Sequence, residues 1–160
     1  MQDIIIREAT LEDLPVLLNF EQGIITAERP FDPTLKKEEI NYYSIRDMIL
    51  ASDVHVVVAE SQNKLIASGY ARIEKAKPYL DHEDYAYLGF MYVDPAYRSQ
   101  GINGKIIDAL KKWSLEKNIT ELRLQVYDEN VSAIKAYTRA GFSRYMLIMR
   151  MRLNEEDTSG

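Results

Sequence analysis

The sequence predicts one α/β domain in which helices cover both faces of a mixed β-sheet. Valine- and isoleucine-rich runs typical of strands alternate with segments whose apolar residues recur every three or four positions, as in helices. A strand, a helix and a strand follow one another over 85–127, which predicts a parallel pair with a right-handed crossover. We assign 1–153 to this single domain and expect the acidic tail 154–160 to be disordered.

The first third of the chain predicts one strand and two helical regions. The isoleucine-rich run 3–8 is the first strand. A helix begins at Thr10, which can cap its first turn, and is expected to end near Gly23. The two prolines of 24–34 predict a semi-rigid loop. The stretch 35–50 is predicted to be helical, in one or two pieces.

The rest of the chain predicts the main part of the sheet. A hairpin joins strands 54–59 and 65–73 through a turn at 61–64, with a bulge expected at Gly69. A polar connection, 75–84, leads to the strand 85–93. A helix over 101–117, an alternating strand over 121–127 and a helix over 131–140 follow, and 142–153 is expected to close the sheet as a strand or hairpin.

Composition excludes several classes of function. The net charge is −5, and no basic face is evident, which argues against nucleic-acid binding. No apolar run approaches the length of a membrane span, and no signal-peptide pattern is present, so we expect a cytoplasmic protein. The absence of cysteine excludes disulfides, thiolate metal ligands and a cysteine nucleophile. His55 and His82 are too far apart in sequence to indicate a metal site.

A glycine-bearing loop between the strand 85–93 and the next helix predicts an anion site. Helix N-termini carry unpaired N–H groups and partial positive charge, and Gly101 and Gly104 allow a ligand close to the backbone. Arg98 could pair with the anion. An ordinary turn is the alternative. The P-loop pattern does not fit, because Ser99 replaces its first glycine and Ile106 its hydroxyl residue, and the glycine spacing does not fit a dinucleotide fingerprint.

The loop resembles the acetyl-CoA signature of the GNAT acyltransferases, Arg/Gln-x-x-Gly-x-Gly/Ala. Arg98, Gly101 and Asn103 occupy its marked positions, with Asn103 departing from the usual Gly or Ala. Three further stretches resemble the family: the run 91–95 its fourth strand, the run 130–142 (Asn, Ala, Tyr, then Gly-Phe) its second signature, and 6–14 its opening. The resemblance implies a mostly antiparallel sheet with one splayed parallel strand pair, between which pantetheine inserts.

The resemblance also implies an activity, which is N-acetyl transfer from acetyl-CoA to a small-molecule or peptide amine by direct attack in a ternary complex. No metal is expected. The sequence itself gives no oligomeric state, and a homodimer is suggested only by the fact that GNAT relatives often dimerise. Tyr137 would protonate the CoA thiolate, or else serve only as a core aromatic residue. The implied cofactor-binding residues are Met91, Tyr92, Val93, Arg98, Ser99, Gln100, Gly101, Ile102, Asn103, Gly104, Asn130 and Tyr137. Asn130 could equally be a helix cap.

The acceptor site and the general base are less defined by the sequence. In the family, the connection after the first helix lies over the acceptor, which suggests Glu28, Arg29 and Phe31, although Phe31 could simply anchor the loop. Members that acetylate protein N-termini carry Glu where this chain has Gln125, so their base is missing here. The remaining candidates for substrate contact or base are Glu28, Glu83, Tyr85 and Tyr127. The alternative function is a non-catalytic acyl-CoA-binding sensor.

Overall fold

A computed structural model describes residues 3–154, in which one five-stranded sheet is flanked by helices. The strands lie in the order β1-β2-β3-β4-β5, and all neighbours are antiparallel except the parallel pair β4 and β5. Their bounds are β1 (Ile5–Glu8), β2 (Val54–Ser61), β3 (Lys64–Lys75), β4 (Asp84–Val93) and β5 (Leu122–Arg123). This arrangement confirms the predicted mixed sheet.

The helices are α1 (Leu14–Glu28), α2 (Ile45–Leu50), α3 (Ile102–Glu116) and α4 (Val131–Arg139), with 3₁₀ turns at Leu11–Asp13, Arg29–Phe31 and Pro95–Tyr97. Within residues 3–154, none of the helices has the length and apolar character needed to cross a membrane. Most of the predicted acidic tail, 155–160, lies outside the described residues.

Two apolar cores cover opposite faces of the sheet, because successive strand residues point to opposite sides. Val57 of β2 packs in the core beneath α3, together with Ile106 and Leu110. Its neighbours Val56 and Val58 pack in the other core, beneath α1 and α2. The sheet is therefore held between helices on both faces, as the sequence predicts.

The predicted hairpin between β2 and β3 is confirmed. Gln62 and Asn63 have φ of 52° and 64°, the left-handed geometry that a two-residue hairpin turn requires. The irregularity expected at Gly69 also exists, but the extra residue lies in β4. Ser68 pairs with Tyr92, and Tyr70 pairs with Gly89. Between these two pairs β3 therefore has one residue and β4 has two.

The prediction that the first helix ends at Gly23 is wrong, because α1 continues to Glu28. A Cβ on Gly23 would lie 2.8 Å from Cε2 of Tyr92, whose ring stacks on Phe20 at 4.4 Å. Gly23 therefore makes room for an aromatic ring and does not terminate the helix. Within the predicted loop 24–34, residues 24–28 are consequently α-helical and Arg29–Phe31 form a 3₁₀ turn.

The prediction of a helix over most of 35–50 is also wrong, since only α2 forms there. Side chains of α1 form hydrogen bonds with backbone N–H and C=O groups that would otherwise pair with each other within a helix. The buried carboxylate of Glu21 accepts the N–H groups of Tyr42 at 2.8 Å and Tyr43 at 2.7 Å. Gln22 donates to the carbonyl of Ile40 at 2.8 Å. These bonds hold the segment against α1 in a non-helical path.

The C-terminal part of the sheet is shorter than predicted. β5 covers two residues where the alternating pattern predicts strand over 121–127. In the described part of the chain no strand follows it, so the strand or hairpin predicted over 142–153 does not form within this chain. Phe142 is half-buried against the core beneath α3, whereas the large apolar side chains of 145–153 are exposed to solvent.

Candidate active site

The parallel strands β4 and β5 pair over only two residues and then separate. Ala86 aligns with Leu122 and Tyr87 with Arg123, and the N–H of Ala86 donates to the carbonyl of Glu121 at 2.9 Å. β4 continues to Val93 without a partner on this side. A gap therefore opens between the two strands at the carboxyl end of β4, as the resemblance implied.

The backbone of Met91 and Val93 faces this gap. The N–H of Asp94 donates to the carbonyl of Ile66 on β3 at 2.7 Å, and Tyr92 pairs with Ser68 on the same side. Because backbone groups alternate in direction along a strand, those of Met91 and Val93 point away from β3. They form an open strand edge with which an extended ligand could pair.

The glycine-bearing loop joins this edge to the N-terminus of α3. Ser99 and Gly101 have φ of 63° and 78°, the left-handed backbone geometry that recurs in anion-binding loops. The first α-helical bond runs from Lys105 to Gly101 at 3.3 Å. The N–H groups of residues 102–104 have no earlier carbonyl to pair with among the described backbone bonds, and remain available to a phosphate.

The other loop residues shape this anion site. Arg98 donates from Nε to the carbonyl of Val93 at 3.4 Å, which leaves the two Nη groups of its exposed side chain for a ligand. Gln100 donates to the carbonyl of Ala96 at 3.5 Å. Ile102 has its side chain buried in the core beneath α3, so only its backbone can contact a ligand. Asn103, half-buried, stands in the first turn of α3.

The second signature forms the start and body of α4, which follows β5. The side chain of Asn130 accepts the N–H of Ala133 at 3.3 Å and caps α4, so its role as a helix cap is confirmed. Tyr137 is half-buried and meets the ring of Phe142 edge-on at 6.0 Å. Burial, together with the charge of Glu28 and the nearby Tyr87, raises the pKa of Tyr137 to about 12.

Glu28, the last residue of α1, stands among tyrosine side chains. Burial raises the pKa of the Glu28 carboxyl; interaction with the Tyr42 hydroxyl lowers it, and the charge of Asp32 adds to the increase. The Tyr42 hydroxyl is itself buried and has no hydrogen bond of ordinary geometry within the described chain. After burial, the charge of Glu28 is a shared cause of the raised pKa of five tyrosines: Tyr42, Tyr43, Tyr87, Tyr127 and Tyr137.

Asp32 joins three parts of the chain beside this cluster. It accepts the Tyr127 hydroxyl at 3.0 Å, the Nη2 group of Arg150 at 3.1 Å and the backbone N–H of Thr34 at 3.0 Å. Hydrogen bonds from Thr34, and lesser ones from Tyr127 and Arg150, lower the pKa of Asp32. Phe31 stacks on Tyr127 at 6.2 Å. The cluster is thus acidic and aromatic, a chemistry suited to a cationic amine.

The family of the chain follows from comparison with known proteins. The model of the Acetyltransferase (GNAT) family matches residues 22–142, which is more than half of the chain. The chain belongs to the GNAT acetyltransferase family. The resemblance seen in the sequence is thereby confirmed, and the gap, the glycine-bearing loop and α4 are the GNAT elements of this structure.

Individual relatives of this GNAT protein match shorter stretches. Thialysine N-epsilon-acetyltransferase of Bos taurus is 44% identical over 55 residues, which are 34% of this chain and 32% of that protein. Streptothricin acetyltransferase of Escherichia coli is 30% identical over 60 residues, or 38% of this chain and 34% of that protein. The matched part therefore spans about a third of the length of these curated relatives.

Solved structures agree over the whole GNAT fold. A tetramutant of the BH1408 protein from Bacillus halodurans has a TM-score of 0.84 at 20% identity, covering 93% of this chain and 99% of that one. A predicted acetyltransferase from Clostridium acetobutylicum, solved with acetyl-CoA, has a TM-score of 0.73 at 19% identity, covering 99% and 100%. At these identities the likeness shows the fold.

The GNAT fold does not bring all predicted site residues together. Glu83 is exposed in the connection before β4, and Tyr85 lies under the guanidinium of Arg123 at 4.1 Å, at the end of β4 away from the glycine-bearing loop. Arg29 holds the backbone of the next segment, donating to the carbonyl of Lys36 at 2.6 Å. Gln125 is exposed.

Sequence reasoning missed Asp32, Tyr42 and Tyr87 as members of the cluster. Asp32 carries a local signal, because it follows the candidate Phe31 between two prolines. Tyr42 falls in a segment whose predicted helix does not form, and Tyr87 alternates within a strand, so neither carries a signal of its own. Among residues 3–154, no group of three or more His, Asp or Glu is arranged to hold a metal ion.

Proposed function

We propose that this GNAT protein transfers an acetyl group from acetyl-CoA to a primary amine. The observation that carries the proposal is the gap between β4 and β5, which joins an open strand edge to the N-terminus of α3. The edge at Met91 and Val93 suits pantetheine, which can pair with a strand, and the loop N–H groups suit its pyrophosphate. The thialysine relative is named for N-acetylation of an amine, which supports the same class of acceptor.

The amine must lose a proton before or during attack on the thioester. An alkylammonium has a pKa near 10.4, so only about one molecule in a thousand is free amine at neutral pH, a cost of roughly 4 kcal/mol. We assign this proton to Glu28, directly or through one water. Burial makes its carboxylate a stronger base than an exposed glutamate. The acidic cluster also attracts the cationic form of the acceptor.

In the transfer itself, the amine nitrogen bonds to the acetyl carbonyl carbon and the carbon–sulfur bond breaks, leaving the electron pair on sulfur. The carbonyl oxygen gains negative charge, which a backbone N–H at the open edge of β4 could stabilise by about 3 kcal/mol. We assign the departing thiolate to Tyr137, which lies close enough to Glu28 and Tyr87 for both to raise its pKa. In this mechanism the peptide groups of β4 stabilise charge on the carbonyl oxygen, and the hydroxyl of Tyr137 interacts with the sulfur as the carbon–sulfur bond breaks.

The raised pKa of Tyr137 defines its role. A donor with a pKa of about 12 would give its proton to a thiolate, whose conjugate acid is near 8.5, at a cost of roughly 5 kcal/mol. We therefore assign Tyr137 a hydrogen bond to the sulfur as it departs. A hydrogen bond to a charged group contributes about 1.5–3 kcal/mol, so Tyr137→Phe should lower kcat roughly 10- to 100-fold and leave acetyl-CoA affinity nearly unchanged.

The test is release of free CoA thiol from acetyl-CoA with a panel of polyamines, aminoglycosides, amino acids and short peptides. The background is clean because the chain contains no cysteine. Tyr137→Phe is compared with Tyr79→Phe, a change at an exposed tyrosine outside the site, and binding is measured by calorimetry. Amine-dependent release that only Tyr137→Phe suppresses supports the proposal. Binding without release from any amine would favour the sensor, and no binding would refute both.

A further inference from the structure

We propose that Ser68 of β3 is a positioning residue, whose buried hydroxyl fixes the Phe90–Met91 peptide so that the N–H of Met91 points to the acetyl carbonyl. The inference rests on the proposed function and names the donor that the transfer needs at the open edge of β4. Ser68 is fully buried, and its Oγ donates to the carbonyl of Phe90 at 2.9 Å. It lies outside both the glycine-bearing loop and the cluster around Glu28.

The bulge of β4 leaves two consecutive residues without a partner on β3. Phe90 and Met91 stand between the paired residues Gly89 and Tyr92, and in the described sheet neither aligns with a residue of β3. Phe90 also has φ of 57°, a left-handed conformation that is rare for a bulky residue. Such a conformation persists only where surrounding contacts hold it, so the peptide that follows Phe90 must be held from outside the strand.

The hydroxyl of Ser68 is the contact that sets the direction of this peptide. In a trans peptide the carbonyl and the following N–H point in opposite directions, and the described chain contains no cis peptide. Since the Phe90 carbonyl points to Ser68 on β3, the N–H of Met91 points away from β3, on the side of the gap. The bond from Ser68 therefore aims a backbone donor at the open edge of β4.

Packing on both faces of the sheet supports the bulge. On the face of α1 and α2, the buried Phe90 ring meets Tyr43 edge-on at 5.5 Å. Burial raises the pKa of the Tyr43 hydroxyl, whereas a hydrogen bond with the backbone of Phe90 lowers it. On the other face, a Cβ at Gly69 would lie 2.9 Å from Sδ of Met91. These contacts hold the side chains of the bulge, and the Ser68 hydroxyl holds the peptide group between them.

A purely structural role for Ser68 is the alternative. Buried hydroxyls are usually hydrogen-bonded, and Ser114 in α3 donates to the carbonyl of Leu110 at 2.8 Å without any link to the gap. Ser68 differs because its acceptor carbonyl shares a peptide group with an N–H at the open strand edge. The two serines form a matched pair, since both are fully buried and both bind a backbone carbonyl.

Infrared spectroscopy of bound acetyl-CoA, labelled with carbon-13 at the acetyl carbonyl, tests the proposal on the full chain. A donated hydrogen bond weakens the C=O bond, so we expect its stretch in the complex at lower frequency than in free acetyl-CoA. Ser68→Ala should move the stretch back towards the free value and lower kcat roughly 100-fold, the low end of the cost of removing one oxyanion donor. The calorimetric affinity for acetyl-CoA should change little. Ser114→Ala is the control and should alter neither the stretch nor kcat, and Ser68→Thr, which keeps the hydroxyl, should retain the shifted stretch.

The other outcomes overturn the proposal. An unshifted stretch in the unmodified complex would show that no donor reaches the acetyl carbonyl. An unchanged stretch in Ser68→Ala would show that the peptide keeps its direction without the hydroxyl. Loss of the shift in Ser68→Thr as well would assign the effect to packing at position 68. If Ser68→Ala does not fold, the amide resonance of Met91 in the unmodified protein decides. It should move further with acetyl-CoA than with CoA, which lacks the carbonyl, and equal movements would overturn the proposal.

The infrared measurement needs no acceptor amine, so it separates this inference from the proposed function. A stretch that is shifted and depends on Ser68, without release of CoA from any amine, would support the role of Ser68 and favour the sensor. Amine-dependent release with a stretch that is independent of Ser68 would support the proposed function and overturn this inference. Absence of acetyl-CoA binding would refute both.

Discussion

The hydroxyl of Tyr127 donates a hydrogen bond of 3.0 Å to Oδ2 of Asp32, 95 positions earlier in the chain. The bond connects the segment after β5 to the segment after α1, and these two segments border the cluster around Glu28 that is proposed to bind the acceptor. Asp32 stays ionised because its hydrogen bonds lower its pKa. Its fixed negative charge in turn helps to raise the pKa of Glu28. The surroundings of Glu28, the proposed base, are therefore set by contacts between distant parts of the sequence.

Glu28→Gln should lower activity and raise stability at neutral pH. The variant keeps the size of the side chain but cannot accept a proton, so we expect kcat/KM for the amine to fall roughly 100-fold or more. The acidic limb of the wild-type pH–rate profile should disappear with it. Glu12→Gln, at an exposed position on the 3₁₀ turn before α1, is the control and should change neither kcat/KM for the amine nor stability.

The stability effect of Glu28→Gln has a defined pH dependence. The pKa of Glu28 is higher in the folded than in the unfolded state, so the carboxyl contributes fully to stability below about pH 4. That contribution is lost as the pH rises through the folded-state pKa, while glutamine is unaffected. Denaturant unfolding at several pH values should show a stability gain that grows with pH. A constant difference would contradict burial of the charge as its cause.

Gly101→Ala and Gly104→Ala should change stability in opposite directions. A Cβ at either position meets no atom within 4 Å, so neither change creates a clash. Gly101 has φ of 78°, and a left-handed conformation costs a residue with a Cβ about 1–2 kcal/mol. Gly104 is helical, where alanine is favoured by up to about 1 kcal/mol.

Calorimetric titration with acetyl-CoA then separates stability from binding. Both variants should bind acetyl-CoA more weakly if the loop backbone approaches the pyrophosphate of the ligand, although only Gly101→Ala should lower the melting temperature. Unchanged affinity in both would show that the loop is an ordinary turn, the alternative that the sequence left open.

Gly69→Ala should destabilise the fold by about 1–3 kcal/mol. A Cβ at Gly69 would lie 2.6 Å from Cγ2 of Ile106 and 2.9 Å from Sδ of Met91, so α3 would have to move away from the sheet. A double-mutant cycle with Ile106→Ala measures this overlap by chemical unfolding. The double variant should lose less than the two single changes together, whereas strict additivity would rule out the contact as the cause.

The elements that the sequence predicted correctly depend on local chemistry. The turn at Gln62 and Asn63, the glycine-bearing loop and the cap at Asn130 each arise from residues within a few positions of one another. The central part of the sheet and the glycine-bearing loop beside the gap could be placed for this reason.

The errors arose where a distant contact overrides a local preference. Gly23 marks a helix end by its own chemistry, but the structure places it in mid-helix because Tyr92 fills the space above it. The carboxylate of Glu21 removes two N–H donors from the segment predicted as helix and thereby positions Tyr42 beside Glu28. No pattern within a short window contains these pairs, so the sequence could suggest Glu28, Phe31 and Tyr127 only through the resemblance and could not predict that Tyr42 and Asp32 join them.

Asp13→Asn should destabilise the protein at neutral pH and have little effect in acid. Asp13 is buried and binds Arg7 through both carboxylate oxygens at 2.8 Å, while Oδ2 also accepts the N–H of Thr10. Hydrogen bonds from Arg7 lower the pKa of Asp13 against the opposing effect of burial. The ion pair therefore stabilises the folded state above about pH 4, and this stabilisation is lost as the pH falls through the folded-state pKa.

Unfolding of Asp13→Asn should show a loss of about 1–3 kcal/mol at pH 7, since Arg7 loses its two shortest charged contacts and keeps only Glu60, at 3.4 Å. The loss should shrink towards zero once Asp13 is protonated in the unmodified protein. Asp53→Asn, at an exposed position before β2, is the control for a carboxylate-to-amide change. An equal loss for Asp13→Asn at acid and neutral pH would mean that packing around the first turn of α1, and not the ion pair with Arg7, provides the stabilisation.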